Sequence, residues 1–499
     1  MSPFGLARSE AGAFWIPLRE ISAYHMLVKS HTIVGQPPIE QQPLEILMKI
    51  FVYVRILEHE TPSHDPILSS FAVNRRWRSL ALSMPILWST ITVIMTTPYW
   101  NSRVLLTELY EKRAESTPQT WIIRDTGRVD EDTTSACTTL LSKHLPHIQN
   151  LVIDSPWLTR SIMIHTSSTQ LASLKRLTIN TTPGPLVTEL LKAENLEHVY
   201  LASIFHSGTR LFPCLKTLYA NVYAISFYEV ILQSPKLEGL TINVLAPRAE
   251  EGPDPSIPLL IDRLPLSLPF LTTLSLCWSG CDVSIDKIPN LPALRQVDLS
   301  HYPNWSVEGR ELEMIGTFLR KLPPALHNLC YSSSFFPSKM HYERTCKMFF
   351  ESTQSLTNVR KLVFSGGLSD VRGPFLIFLQ MFFAAPSFAS VTKLAIHDFS
   401  CCALEDLETL FSSDIVRSWF SFRKTGLDEI LDVDIYPREV DIESLAMSPL
   451  PSKWDGSSNG DVPLRLRFLD ILVLPRRMMK TFPYIYELDP HVDAHIPFY

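Results

Sequence analysis

Chemistry in this chain would have to come from a few short stretches. "CWSGC" puts Cys277 and Cys281 four residues apart, a separation that could serve a soft metal, and "HLPH" puts His144 and His147 three apart. Neither is followed by a second cysteine or histidine pair at the spacing of a tetrahedral zinc site, so they read better as strand-end cysteines and loop histidines. Carboxylates crowd "LDEILDVDIYPRE" (427–439), which invites an acid–base reading. Leu427, Ile430, Val433 and Ile435 recur there as buried positions would, leaving Asp428, Glu429, Asp432 and Asp434 as an exposed acidic patch. The motifs G-x-x-x-x-G-K-S/T, H-E-x-x-H, G-x-S-x-G and paired C-x-x-C do not occur. The sequence thus points to no enzyme, no metal and no cofactor.

Three arginines and two tryptophans in "NRRWRSLALSMPILWSTI" (74–91) pose a different question, a nucleic-acid patch or the edge of a core. The chain of 499 residues carries a formal net charge of -6, the wrong sign for binding through phosphates. Trp77, Leu80 and Ala81 fall at helical spacing while Arg75, Arg76 and Arg78 flank them, so the tryptophan is expected inside and the arginines in water. With 17 Gly against 38 Pro, Gly-rich phosphate loops find no support. The eight cysteines (137, 214, 277, 281, 330, 346, 401 and 402) show no disulfide spacing, which fits a reducing compartment. The first thirty residues lack the pattern of a secretory signal. "FLIFLQMFFAA" (375–385), the longest tempting apolar run, is far shorter than the ~20 residues of a membrane span. No nucleic acid and no membrane partner is expected, and an intracellular location, cytoplasmic and/or nuclear, is.

Upstream of the tryptophans, "PLEILMKIFVYVR" (43–55) places Leu44, Leu47, Phe51 and Val54 on one helical stripe, widened by Ile46 and Ile50, with Pro43 at the helix start. A loop with breakers (58–66) separates it from a second helical pattern containing Leu68, Phe71 and Ala72. Together "PLEILMKIF" and "VNRRWRSLALSMPILWSTI" resemble an F-box, the three-helix module that docks on the Skp adaptor of cullin-RING ubiquitin ligases. Pro43, Glu45, Ile46, Leu47, Ile50 and Phe51 match the family's first helix, although Gln42 replaces its leading leucine. Trp77, Arg78, Leu80, Ala81, Pro85, Leu87 and Trp88 match its ending. The resemblance implies an F-box over 39–95 and adaptor-binding residues Pro43, Leu44, Ile46, Leu47, Ile50, Phe51, Trp77 and Leu80. Residues 1–38 are assigned to neither part, with a cap on the F-box and a partly disordered arm both open.

From residue 145 one pattern recurs, L-x-x-L-x-L: "LPHIQNLVID", "LASLKRLTIN", "AENLEHVYLA", "FPCLKTLYAN", "SPKLEGLTIN", "LPFLTTLSLC" and "LPALRQVDLS". Less regular copies follow at 356–365, 388–397 and 466–475. The marker residues Leu151, Leu177, Val199, Leu218, Leu240, Leu274 and Val297 stand 26, 22, 19, 22, 34 and 23 residues apart. These intervals bracket the about 20 to 29 residues of leucine-rich repeats. Period-two alternation would bury Leu177 and Ile179 and expose Arg176, Thr178 and Asn180. Pro146, Pro213, Pro235, Pro269, Pro292 and Pro324 punctuate the copies. Helical spacing in 183–193, 224–234 and 308–322 supplies the convex side, a helix-then-strand unit is read in 104–124, and exposed loops in 246–258 and 451–463.

The expected architecture is α/β: a small helical F-box, then over 96–499 a leucine-rich-repeat solenoid, a curved parallel sheet with helices on the convex side. The expected function is a substrate-recognition subunit of an SCF-type ubiquitin ligase, with the Skp-type adaptor and through it a cullin as partners, alongside a target protein the sequence does not name. The alternative is a repeat scaffold with no part in ubiquitin transfer. Among outward strand positions, His198, Tyr200, Tyr219 and Asn221 are the candidate target-binding residues, accompanied by Asn243, Asp298 and Ser300, against the plain reading that each is a solvated strand residue.

Overall fold

The computed structural model describes residues 43–58, 75–95, 100–125, 129–160, 169–181, 184–205, 212–245, 256–279, 283–302, 308–336, 339–368, 374–399, 410, 413–422, 431–437 and 464–468. Residues 1–38, the pattern at Leu68, Phe71 and Ala72, the loop at 451–463, Cys281, Cys401, Cys402 and the final copy beyond Phe468 lie outside them. The described residues fall into two compact units, the boundary cutting the chain after Thr92, after Trp100 and after Thr120.

The smaller unit is helical. Helix α1 (Leu44–Glu58) opens on the carbonyl of Pro43, which accepts from Ile46 N and Leu47 N at 3.1 and 3.2 Å. Helices α2 (Arg75–Leu82) and α3 (Pro85–Trp88) pack on it, and α4 (Trp100–Ala114) completes the unit. As the spacing predicts, Trp77, Leu80 and Ala81 are buried and Arg75, Arg76 and Arg78 exposed. Trp77 meets Phe51 edge to face at 5.2 Å. Trp88 donates Nε1–H to the Ala81 carbonyl at 2.9 Å, meets Tyr110 at 5.0 Å and takes the Arg113 guanidinium over its ring at 4.3 Å. Two aromatic pairs, Phe51 with Trp77 and Trp88 with Tyr110, thus tie the four helices together.

Strand β1 (Thr90–Met95), which the sequence pattern does not announce, follows α3, and β2 (Gln119–Asp125) follows α4. In the larger unit β2 is followed by β3 (Ile148–Asp154), β4 (Arg176–Ile179), β5 (His198–Phe205), β6 (Thr217–Tyr223), β7 (Gly239–Leu245) and β8 (Thr273–Ser279). Then come β9 (Gln296–Tyr302), β10 (Asn328–Phe336), β11 (Lys361–Leu368), β12 (Lys393–Phe399), β13 (Leu431–Pro437) and β14 (Leu464–Phe468). These strands stand in chain order in one open sheet, and every pairing from β3 to β14 is parallel.

The register puts all seven marker residues side by side. Leu151, Leu177, Val199, Leu218, Leu240, Leu274 and Val297 pair in one row, continued by Leu329, Leu362, Leu394, Val433 and Leu466. Uneven spacing in the chain is absorbed in the connections. The connection between β7 and β8 holds a short helix (Ile257–Ile261), which begins at the end of the stretch expected as a loop (246–258), and a bridge from Ser267 to Asn290. Each buried aliphatic side chain in the row contributes about 2 kcal/mol of transfer free energy, which is why the row and not the helices sets the phase. The prolines act one step earlier than the strands. Pro213, Pro235, Pro269, Pro292 and Pro324 each occupy the second position of a turn closed by the amide of the following leucine, as in Leu215 N to Phe212 O at 3.2 Å.

Helices of the connections pack on the face carrying the marker row. They include α5 (Glu131–His144), capped by Asp130 accepting from Thr133 N at 2.7 Å, then α6 (Pro156–Arg160), α7 (Pro185–Leu190) and α8 (Ala224–Gln233). Past the Ile257–Ile261 helix, α9, come α10 (Glu308–Arg320), α11 (Lys339–Ser352), α12 (Pro374–Ala384) and α13 (Asp414–Phe422). Gly184, just before α7, passes so close to α6 that a Cβ would lie 2.0 Å from the Thr159 carbonyl oxygen. From β10 onward aromatic rings replace leucines beneath the sheet: Phe364 stacks on Phe378 at 4.2 Å, and Phe349, Phe350, Phe382, Phe388 and Trp419 extend the cluster. No helix of the described residues is long and apolar enough to cross a membrane.

Two expectations are corrected. Thr178 is not exposed: it is 7% accessible, lying in register between Val152 and Tyr200, whose larger side chains close over the short threonine. The last described strand, β14, begins ahead of the copy at 466–475, most of which lies outside the described residues: Leu464, Leu466 and Phe468 alternate with Arg465 and Arg467 and place Leu466 opposite Val433.

Candidate functional site

Two surfaces collect the residues of interest, one on each unit. On the smaller unit, α1 divides the residues expected to bind an adaptor. Leu47, Phe51, Trp77 and Leu80 are buried in the unit's own core and Ile50 is half-buried, whereas Pro43, Leu44 and Ile46 are exposed. At 100° per residue Leu44 and Met48 border the buried Leu47–Phe51 stripe on one side, and Ile50 and Ile46 border it on the other. Leu44, Ile46 and Met48 are 46%, 42% and 37% accessible, so the apolar arc of α1 is wider than the core it covers. Leu82 and Ile86 are exposed as well. Met48, Leu82 and Ile86 carry no motif, and only their exposure singles them out.

On the larger unit the surface is the sheet face opposite the marker row. His198 and Thr217 pair in register and meet through Nδ1 and Oγ1 at 2.7 Å. Tyr200 pairs with Tyr219, and the half-buried rings stack with centroids 4.3 Å apart and planes 14° from parallel. Asn221 does not extend this row directly. The register shifts between Leu201 and Ile204, Asn221 pairs with Ile204, and its side-chain amide donates to the Ala202 carbonyl at 2.8 Å, filling the bulge. The starts of these strands are braced by Glu197, which meets Lys216 at 2.6 Å and Lys175 at 3.5 Å. The Lys216 hydrogen bond leads in holding its carboxyl below the usual range.

The row of Tyr200 and Tyr219 runs on through Thr241, Ser275 and Asp298 to Cys330 and Val363. Asp298 is 7% accessible, its Oδ2 accepts from Ser275 Oγ at 3.4 Å, and its Oδ1 has no hydrogen-bond partner among the described residues. Burial pushes its carboxyl from 3.8 up to about 6, opposed by Cys330, Ser275 and the charge of Lys361. Asn243 and Ser300 stand in the adjacent outward row, joined by Cys277.

The stretches that suggested other chemistry are structural. Cys277 is a half-buried residue of β8. His144 is no loop residue: it ends α5, is buried, and stacks on Trp121 at 5.3 Å, while His147 is exposed in the turn that follows. Asp432 is half-buried in β13, not exposed, since it pairs with Lys393 of the neighbouring strand. Among the described residues no three His, Cys, Asp or Glu side chains gather as a metal site. No family model matches the chain, and no curated protein matches it in sequence.

Proposed function

We propose that the chain is a substrate-recognition subunit of an SCF-type cullin-RING ubiquitin ligase. In this reading the smaller unit contains an F-box that binds a Skp-type adaptor, and the parallel sheet with its helices is a curved leucine-rich-repeat solenoid that binds a target protein. The observation that carries it is the arc of α1, where Leu44, Ile46 and Met48 stay in water beside a buried Leu47–Phe51 stripe. The Trp-Arg ending of the motif and the register-true marker row support it. The chain then performs no bond chemistry; it raises the local concentration of a target near a conjugating enzyme held elsewhere in the complex.

The test is co-purification of the full-length chain with an adaptor and a cullin. Leu44→Asp with Met48→Asp should abolish adaptor capture, because charge cannot enter an apolar interface, and should leave the fold intact because both side chains already face water. Unchanged capture by the folded double variant would sink the reading. Adaptor capture without cullin would favour a scaffold.

A further inference from the structure

We propose that the sheet face takes an arginine side chain of the target, laid in a shallow trough over β7 and β8 between Tyr219 and Asp298. This rests on the reading of that face as the target surface, and names what the face selects.

The trough follows from the register. Tyr219, Thr241, Ser275 and Asp298 are consecutive partners on β6, β7, β8 and β9. Between the ring and the carboxylate, the outward residues are small: Gly239, Thr241 and Asn243 on β7, Thr273, Ser275 and Cys277 on β8. With strands ~4.8 Å apart, the two form a floor about 10 Å across. Tyr200 covers one face of the Tyr219 ring, and on the other side the register neighbour is the much shorter Thr241.

The floor is also polarised. Ser275 Oγ gives its proton to Asp298 Oδ2, so the lone pairs of this half-buried hydroxyl are left to accept. Asp298 lies nine-tenths buried beneath, its Oδ1 without a hydrogen-bond partner among the described residues and the Cys330 thiol acting on the same carboxyl. Lys361, two strands further on, adds its charge but no hydrogen bond to that carboxyl. An aromatic face asks for a flat group, the acceptors for donors, and the carboxylate for positive charge. Guanidinium meets all three, lysine lacks the plane, and glutamine lacks the charge. Asp298 is here a positioning residue that orients Ser275 and sets the field, while Tyr219 and Ser275 make the contact.

The experiment uses immobilised peptide sublibraries of equal length with Arg, Lys, citrulline or Leu fixed at the centre, probed with the full-length chain. The Arg sublibrary should retain about ten-fold more protein than the Lys one, and citrulline and Leu little. Asp298→Asn, and separately Thr241→Trp, which fills the trough, should each remove that preference in chains shown folded by circular dichroism. Equal retention on Arg and Lys or citrulline, retention on none, or an Arg preference intact in both variants overturns the proposal. Retention without arginine preference that disappears in Tyr200→Ala/Tyr219→Ala would overturn the arginine site and leave the target surface standing. Retention indifferent to the tyrosines would overturn both.

Discussion

Tyr200 on β5 and Tyr219 on β6 lie in register and stack with ring centroids 4.3 Å apart, on the sheet face away from the helices. Stacking fixes each ring against the other before any partner arrives, so less side-chain entropy is lost on binding. On the proposed function, changing both to Ala should lower target capture and target ubiquitination about ten-fold or more while adaptor capture is retained. The rings are half-exposed, so denaturant midpoints should fall only slightly. Full target capture by the double variant would show that the pair is merely a surface stack.

The two faces of β4 differ less than alternation implies. Leu177 is buried under the helices, and Thr178 is buried between Val152 and Tyr200. Asp at either position is therefore expected to be costly: Leu177→Asp should abolish soluble expression, and Thr178→Asp should cost about 2 kcal/mol or more, since its charge would be taken out of water. Thr178→Val, of similar shape, should be close to neutral. Urea denaturation of the two Thr178 variants checks this, and a harmless Asp there would mean the outward face is open to water.

Phe364 and Phe378 stack at 4.2 Å in the aromatic cluster between β10–β12 and α11–α13, and both are fully buried. Phe378→Ala should cost about 3 to 5 kcal/mol through lost contacts and a cavity, and Phe378→Leu much less. If thermal unfolding of Phe378→Ala matches the parent, the cluster is not the core of this half of the sheet.

What the sequence made legible was whatever burial dictates locally. A leucine row with short turns, prolines at the second turn position and a tryptophan flanked by arginines all follow from whether one residue meets water. The remainder depends on neighbours far along the chain. Thr178 is covered because Tyr200 stands beside it, Asn221 serves a bulge in β5, and Leu466 enters the row because its alternation fits Val433. Leu47 and Leu44 look alike on a helical wheel, yet one is core and the other surface, because only the packed helices α2 and α3 decide which flank is covered.

Asp298 should set a pH dependence of stability opposite to that of a salt-bridged acid. Burial raises its folded value to about 6 from 3.8, so between those values the folded chain keeps a proton that the unfolded chain has released. Stability from this group is therefore present below about pH 4, falls as pH rises through 4 to 6, and is gone above, a difference of about 3 kcal/mol. The groups acting on the carboxyl are the Ser275 hydroxyl, the Cys330 thiol and the Lys361 charge. Asp298→Asn removes the titration, so denaturation at pH 7.5 should find the variant more stable than the parent by up to about 3 kcal/mol, and at pH 4 nearly equal to it. The same substitution is expected to weaken arginine recognition, so one side chain would trade stability for selectivity. A stability difference between variant and parent that stays constant from pH 4 to 7.5 would show that the carboxyl titrates as an ordinary exposed one.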